Sequence, residues 1–502
     1  MEQLDGIASE SLQLIHPPSS YSLAGWSPSS VPVAIAPLEF DIQAHSFAEG
    51  FGAALSQLLR RRLSVAVRSR HGRLDILTRH VLESNDRPVP WSWADLRATW
   101  RRRVRPAAVG HDRFFRTADA GTPAEAAAVL RDVVDRMTEV TFLHHTLILP
   151  ARITIAEFCE FAVDSTVVDT ELHALQLLAG RGNATTRMAT HMWANRSRSS
   201  AIGPLAQEGD GYGLTLPGWL ESNHVPRVLA DLYNRCDGDR SPAALLAHTT
   251  RARRRALGRI KRSLATEPDT VRKRFTMLHE CAQRAAWLTE GHAPLMHARL
   301  TYAMRQLVFR LGRHLVSMDM LDTPEDLLYL RIQEIREPDL RERATLRRAE
   351  CAQFAPSAAS DVTSPTGPDP LGSSPLARRV RRVFASTPST AGRQPGVVGY
   401  PAAAGRARGP LRRVERETDL AKIEPGDVVL AAGNAAVWSY AAPAASAFLS
   451  ASGSVFGHLA SLARDYAVPC VLAATGLDGV HDGQRVDIDG ETGVVSWEDR
   501  PA

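Results

Sequence analysis

The sequence predicts a multidomain α + α/β protein. A mostly α-helical domain covers residues 1–353, a Pro/Ser/Arg-rich linker covers 354–395, and a compact domain of the β/β/α type covers 396–502. Three observations predict this. Helix starts and 3.6-residue apolar spacing recur through the first two thirds of the chain. Seven prolines then fall between Pro356 and Pro395, among many Ser, Thr and Gly. After residue 396, short apolar runs alternate with Gly- and Asp-containing turns. With 502 residues, 44% hydrophobic, and a net charge of +5, the chain has the composition of two or more soluble domains.

In the helical domain, Thr122-Pro123-Ala124-Glu125 combines an N-cap, a proline at the first helical position and a capping-box glutamate. Val129, Leu130, Val133, Val134 and Met137 continue one apolar face. Ser241-Pro242 and Thr323-Pro324 mark further starts, and Phe275 to Val316 reads as one long periodic stretch. Such a domain is large enough for its own core. His144-His145 reads as structural, because adjacent residues on a helix point apart. Arg251–Arg262 reads as a solvated helix face rather than a nucleic-acid patch, since it lacks interleaved aromatics. Arg284, Arg299 and Arg305 are candidate walls of an anionic pocket, with surface charge as the reading preferred.

The linker has no periodicity except at Leu376–Phe384, a brief basic helix with Arg378, Arg379, Arg381 and Arg382. It is either a spacer or a hinge. Beyond it, Glu424–Asp427 is a turn and Val428–Leu430 a buried strand. Trp438-Ser439 precedes a short helix at Ala442–Ala447, and a helix is expected from His458 to Ala467. Strands follow at Cys470–Ala473, around Val486 and Ile488, and at Val494–Trp497, with turns at Asp482-Gly483 and Asp489–Gly493. Asp478, His481 and Asp482 lie in a turn without metal-site spacing, so no metal site is expected.

His458 is the candidate catalytic residue. At a helix start it meets free N–H groups and the positive end of the helix dipole, a ready site for a phosphoryl group. The same field disfavours imidazolium and keeps a nucleophilic nitrogen. Gly453 and Gly457 remove Cβ atoms beside it, and with Ser454 they form the candidate phosphoryl loop. The competing reading is a capping or core histidine.

Gly453, His458, Ala460, Ala463, Arg464, Asp465, Pro469 and Val471 fall in register with the phosphohistidine loop of the phosphoenolpyruvate-utilising, dikinase-type phosphotransferases, which the segment resembles. There are two departures: Ser454 replaces a second glycine, and Gly457 replaces the hydroxyl or thiol residue before the histidine. The resemblance runs from about Gly396 to Trp497 and implies a swivelling phosphohistidine domain. Upstream, Ile35-Ala36-Pro37-Leu38-Glu39 and the stretch from Leu288 to Leu330 resemble the acceptor-binding central domain of rifampicin phosphotransferase-like enzymes. By that resemblance Glu290 and His292 are acceptor-site candidates, a carboxylate or imidazole being able to take a hydroxyl proton. The alternative is a solvated, helix-linking pair.

The relatives' ATP-grasp domain has no counterpart here. No Gly-x-x-x-x-Gly-Lys-Ser/Thr loop occurs, and the lysines are only Lys261, Lys273 and Lys422. The resemblance therefore implies a split enzyme, with ATP and Mg²⁺ on a separate ATP-grasp-type protein and no cofactor bound firmly by this chain. In such enzymes ATP yields AMP and phosphate while the β-phosphoryl group goes to histidine, here His458, and then to a small-molecule acceptor. Two alternatives stand beside it: a scaffold or regulatory homologue without the chemistry, and a carrier charged by phosphoenolpyruvate. No signal peptide or membrane-length apolar run is present, and five scattered cysteines suit a reducing compartment, so a cytoplasmic protein with no membrane or nucleic-acid partner is expected. The preference for Arg over Lys, with abundant Ala, is that of a GC-rich bacterial genome.

Overall fold

The computed structural model describes residues 21–26, 36–59, 62–70, 73–82, 93–197, 214, 219–222, 224–352, 374–384, 397–415, 417–431, 436–451, 453–474 and 477–497. Most of the linker and Ile35 of the first acceptor-domain segment lie outside these residues. The chain forms two compact units, and they do not follow chain order. One comprises residues 1–150, 208–218 and 295–381; the other comprises 151–207, 219–294 and 382–502.

The helices in chain order are α1 (Pro37–His45), α2 (Gly52–Leu59), α3 (Trp93–Thr99), α4 (Arg105–Thr117), α5 (Pro123–Asp164), α6 (Glu171–Gln176), α7 (Ala184–Ala194), α8 (Trp219–Ser222), α9 (His224–Asn234), α10 (Pro242–Ser263), α11 (Asp269–Gly291), α12 (Leu300–Ser317), α13 (Leu340–Ala352), α14 (Pro375–Phe384) and α15 (His458–Tyr466).

The first unit has a core that includes Leu38, Ile42, Phe51, Leu55, Phe115, Leu130, Leu307 and Leu311. The Thr122–Glu125 capping box forms as the sequence predicts, and α5 starts at Pro123. The periodic stretch from Phe275 to Val316 is two helices, because a π-helical turn at Pro294–Arg299 separates α11 from α12. Thr323-Pro324 opens a 3₁₀ turn, Pro324–Tyr329, that packs on Gly312 of α12; a Cβ at Gly312 would run into the Pro324 backbone. Arg305 is not a surface charge. It is buried, donates to the Leu214 carbonyl and lies over the Phe309 ring. Arg299 pairs with buried Asp112.

This unit also holds an antiparallel sheet that the helical reading omitted: β1 (Tyr21–Trp26), β2 (Arg62–Arg70) and β3 (Arg73–Leu82), in the order β1-β3-β2. Leu63, Val65 and Val67 recur at every second position, which is a strand period.

In the second unit, helices are joined to an eight-stranded sheet. Its strands are β4 (Val397–Val398), β5 (Tyr400–Ala403), β6 (Arg406–Val414), β7 (Val428–Ala431), β8 (Ala447–Ser450), β9 (Cys470–Leu472), β10 (Arg485–Asp489) and β11 (Val494–Trp497), in the order β4-β11-β10-β6-β7-β8-β9-β5. β6 to β9 are parallel and the remaining pairs antiparallel. Val428, Leu430, Leu449, Val471, Val486 and Val495 form its core. The short helix expected at Ala442–Ala447 is instead a 3₁₀ turn at Ala436–Ala441 followed by β8. Pairing on both sides, with β7 and β9, overrides the local preference of an alanine-rich run. The brief basic helix is present as α14.

Candidate functional site

β8, α15 and β9 form a parallel crossover. It places the first residue of α15, His458, beyond the carboxyl end of a parallel strand, where open α/β sheets bind ligands. The loop from β8 turns through Gly453, whose φ of 120° is open to glycine. Ser454 Oγ accepts from the Phe456 N–H and donates to the Val383 carbonyl of α14, both at 3.3 Å. Gly457 is the N-cap: its N–H donates to the Ser454 carbonyl at 2.8 Å, and its carbonyl accepts from the Ser461 N–H at 3.0 Å. Having no side chain, it gives α15 no side-chain cap. Buried Arg464 donates to the carbonyls of Val455 and Ala402, each at 2.9 Å, and so fixes the loop from below.

His458 Nδ1 lies 3.0 Å from Glu290 Oε2, with the ring 25% exposed and the carboxylate 3% exposed. Glu290 comes from the last turn of α11, 168 residues earlier in the chain. Against a carboxylate, Nδ1 carries the hydrogen and donates it. In the neutral ring the lone pair is then on Nε2. Among the described residues, Glu290 Oε1 has no hydrogen-bond partner. His292 is the C-cap of the same helix; it is buried, with Nδ1 3.0 Å from the Leu288 carbonyl.

The other end of α15 is anchored. Asp465 is buried and accepts from the Gly180 N–H at 2.6 Å and the Asn183 side-chain amide at 3.0 Å. Asn183 is held by its own capping box with Thr186. Burial pushes the Asp465 carboxyl up to about 7, the Gly180 hydrogen bond opposes this, and the negative charge of Glu290 adds to it. Arg464, next in sequence, spends its hydrogen bonds on carbonyls instead.

Further bonds tie the sheet to the preceding helices of this unit. Tyr233 Oη donates to the Tyr440 carbonyl, and Arg240 donates to the carbonyls of Ala442, Pro443 and Ala445. Tyr400 and Arg382 converge on Glu171 at 2.8 and 2.6 Å.

Beside Glu290 and Asp465 is a cavity of about 40 Å³, whose lining includes Arg181, Gln283, Trp287 and Ser461. Sequence reasoning missed Arg181 and Asn183. The signal was there in Gly180-Arg181-Gly182-Asn183, whose two glycines take φ of 70° and 72°. Asp482, read as a solvated turn residue, accepts from the Arg413 N–H and pairs with Arg412. Among the described residues, no group of three or more His, Cys, Asp or Glu is placed to hold a metal ion, and no helix is long and apolar enough to cross a membrane.

Residues 423–493 match the family model of the PEP-utilising enzyme mobile domain. Chondramide synthase cmdD of Chondromyces crocatus is 24% identical over 75% of this chain and 11% of its own length. The uncharacterized phosphotransferase YvkC of Bacillus subtilis is 23% identical over 46% of this chain and 28% of its own. The uncharacterized protein Rv2047c of Mycobacterium tuberculosis is 31% identical over 41% of this chain and 23% of its own. The matches thus span between 11% and 28% of the length of these curated relatives. Within the carboxy-terminal sheet domain, residues 423–493 are thus similar to the mobile domain of PEP-utilising enzymes, and one relative of the chain carries the name phosphotransferase.

Proposed function

We propose that this chain is the phosphohistidine-carrying part of a dikinase-type small-molecule phosphotransferase, relaying a phosphoryl group through His458 to an acceptor. The observation that carries the reading is the His458–Glu290 pair at the N-terminus of α15. With Nδ1–H held by the carboxylate, the Nε2 lone pair attacks the donor phosphorus and the bond from phosphorus to the leaving oxygen breaks. The helix N-terminus favours the incoming charge. In the second step an acceptor hydroxyl oxygen attacks phosphorus, the P–N bond breaks, and its electron pair returns to Nε2. The hydroxyl proton passes by way of water to Glu290, whose Oε1 has no hydrogen-bond partner among the described residues. In this reading the donor is ATP with Mg²⁺ on a separate ATP-grasp-type protein; this sequence itself holds only three lysines and no Gly-x-x-x-x-Gly-Lys-Ser/Thr loop. His292 shapes the acceptor side by ending α11 two residues after Glu290.

The test is loading. The protein is incubated with Mg²⁺, β-labelled ATP and the ATP-grasp protein, and its intact mass is read beside that of His458→Ala. An acid-labile phosphoryl adduct absent from the variant is expected. No adduct with an active partner would favour the scaffold reading, and an adduct from phosphoenolpyruvate instead would replace the donor.

A further inference from the structure

We propose that the pocket beside Glu290 takes an aromatic, hydroxyl-bearing organic anion, with Glu290 accepting from the hydroxyl, Trp287 carrying the ring and Arg181 meeting the anionic group. This deepens the phosphoryl-transfer reading and rests on it. The pocket lies between the turn before α7, the last turns of α11 and the start of α15. At about 40 Å³ its interior admits a group of hydroxymethyl size and not a ring.

Three independent observations define the ligand. Glu290 lines the pocket, is 3% exposed, and leaves Oε1 without a donor among the described residues. A buried carboxylate oxygen without a donor is costly, and a hydroxyl supplies one. Trp287 lines the same pocket yet is 43% exposed, whereas Trp219 and Trp438 are fully buried. An indole left open at a pocket rim is a stacking face. Arg181 also lines the pocket, and its guanidinium has no hydrogen-bond or ion-pair partner among the described residues. Partial burial, and then the like charge of Arg284, hold it below its ordinary value. Arg253 is close by, donating to the Ala179 carbonyl. Arg253 and Arg284 are not in the pocket lining, but their like charges act on Arg181, and an anion joining Arg181 relieves that repulsion.

The experiment compares three probes of one shape and one hydroxyl: para-hydroxymethylbenzoate, benzyl alcohol and para-hydroxymethylbenzylamine. Binding to the full, unphosphorylated chain is measured by calorimetry and ligand-observed NMR. The benzoate is expected to bind at least about tenfold tighter than the other two. Arg181→Ala, at an exposed position, is expected to remove the preference while leaving the melting temperature in place, and Arg181→Lys to restore part of it. Equal binding of the three probes, no binding of the benzoate, or a preference that survives Arg181→Ala would overturn the proposal. Because the protein carries no phosphoryl group in this assay, failure of His458 to load would overturn the carrier reading separately.

Discussion

The two ends of α15 face opposite demands. At its start, His458 is partly exposed, lies on a glycine N-cap, and meets one carboxylate through one nitrogen. At its end, Arg464 and Asp465 are buried, and every hydrogen bond described for them goes to backbone carbonyls or to the Gly180–Asn183 turn. A phosphoryl carrier needs a ring that stays accessible on a helix that does not drift. The buried end supplies the rigidity, and the exposed end keeps the chemistry.

Separating the two roles gives the largest effect. Glu290→Gln keeps an oxygen for Nδ1–H but loses the base. Loading of His458 should persist, while transfer to an acceptor falls by about 10² to 10⁴. Single-turnover discharge of the phosphorylated protein reads this, and equal losses in both steps would contradict the division of labour. Asp465→Ala acts at the other end. It strands two buried donors, from Gly180 and Asn183, and should cost about 2 kcal/mol in denaturant unfolding.

The pH dependence sharpens the comparison. Asp465 holds its proton more tightly in the folded chain, at about 7 against an ordinary 3.8. Its contribution to stability is therefore full at low pH and is lost as pH rises through that window. Melting from pH 5 to pH 8 should fall more steeply for the native chain than for Asp465→Asn; parallel curves would count against it. The smallest effect is at Gly457. Its φ of −81° and ψ of 171° suit serine, so Gly457→Ser should add a few tenths of a kcal/mol by capping α15 and leave loading unchanged.

The same contrast explains what was legible in the sequence. The bounds of α15, β7, β9 and β11 are close to those the sequence suggests, because local spacing and turns fix them. The loop residues Gly453, Ser454 and Gly457 were legible through a local motif. Glu290 was visible only through resemblance, since no periodicity reports a contact across 168 residues. Arg181 and Asn183 went unread because one short Gly-rich turn looks like any other until Asp465 docks on it. β2 and β3 were lost to the helical bias of their surroundings, although Leu63, Val65 and Val67 recur at every second position.

The most direct test is the protonation state of His458 itself. In protein labelled with ¹⁵N-histidine, with the signal assigned by its loss in His458→Ala, two-bond proton–nitrogen correlations report which ring nitrogen carries hydrogen. The account predicts Nδ1–H and a bare Nε2 in the neutral ring, with that tautomer preference weakened in Glu290→Ala. An Nε2–H tautomer, or a spectrum indifferent to Glu290, would contradict it.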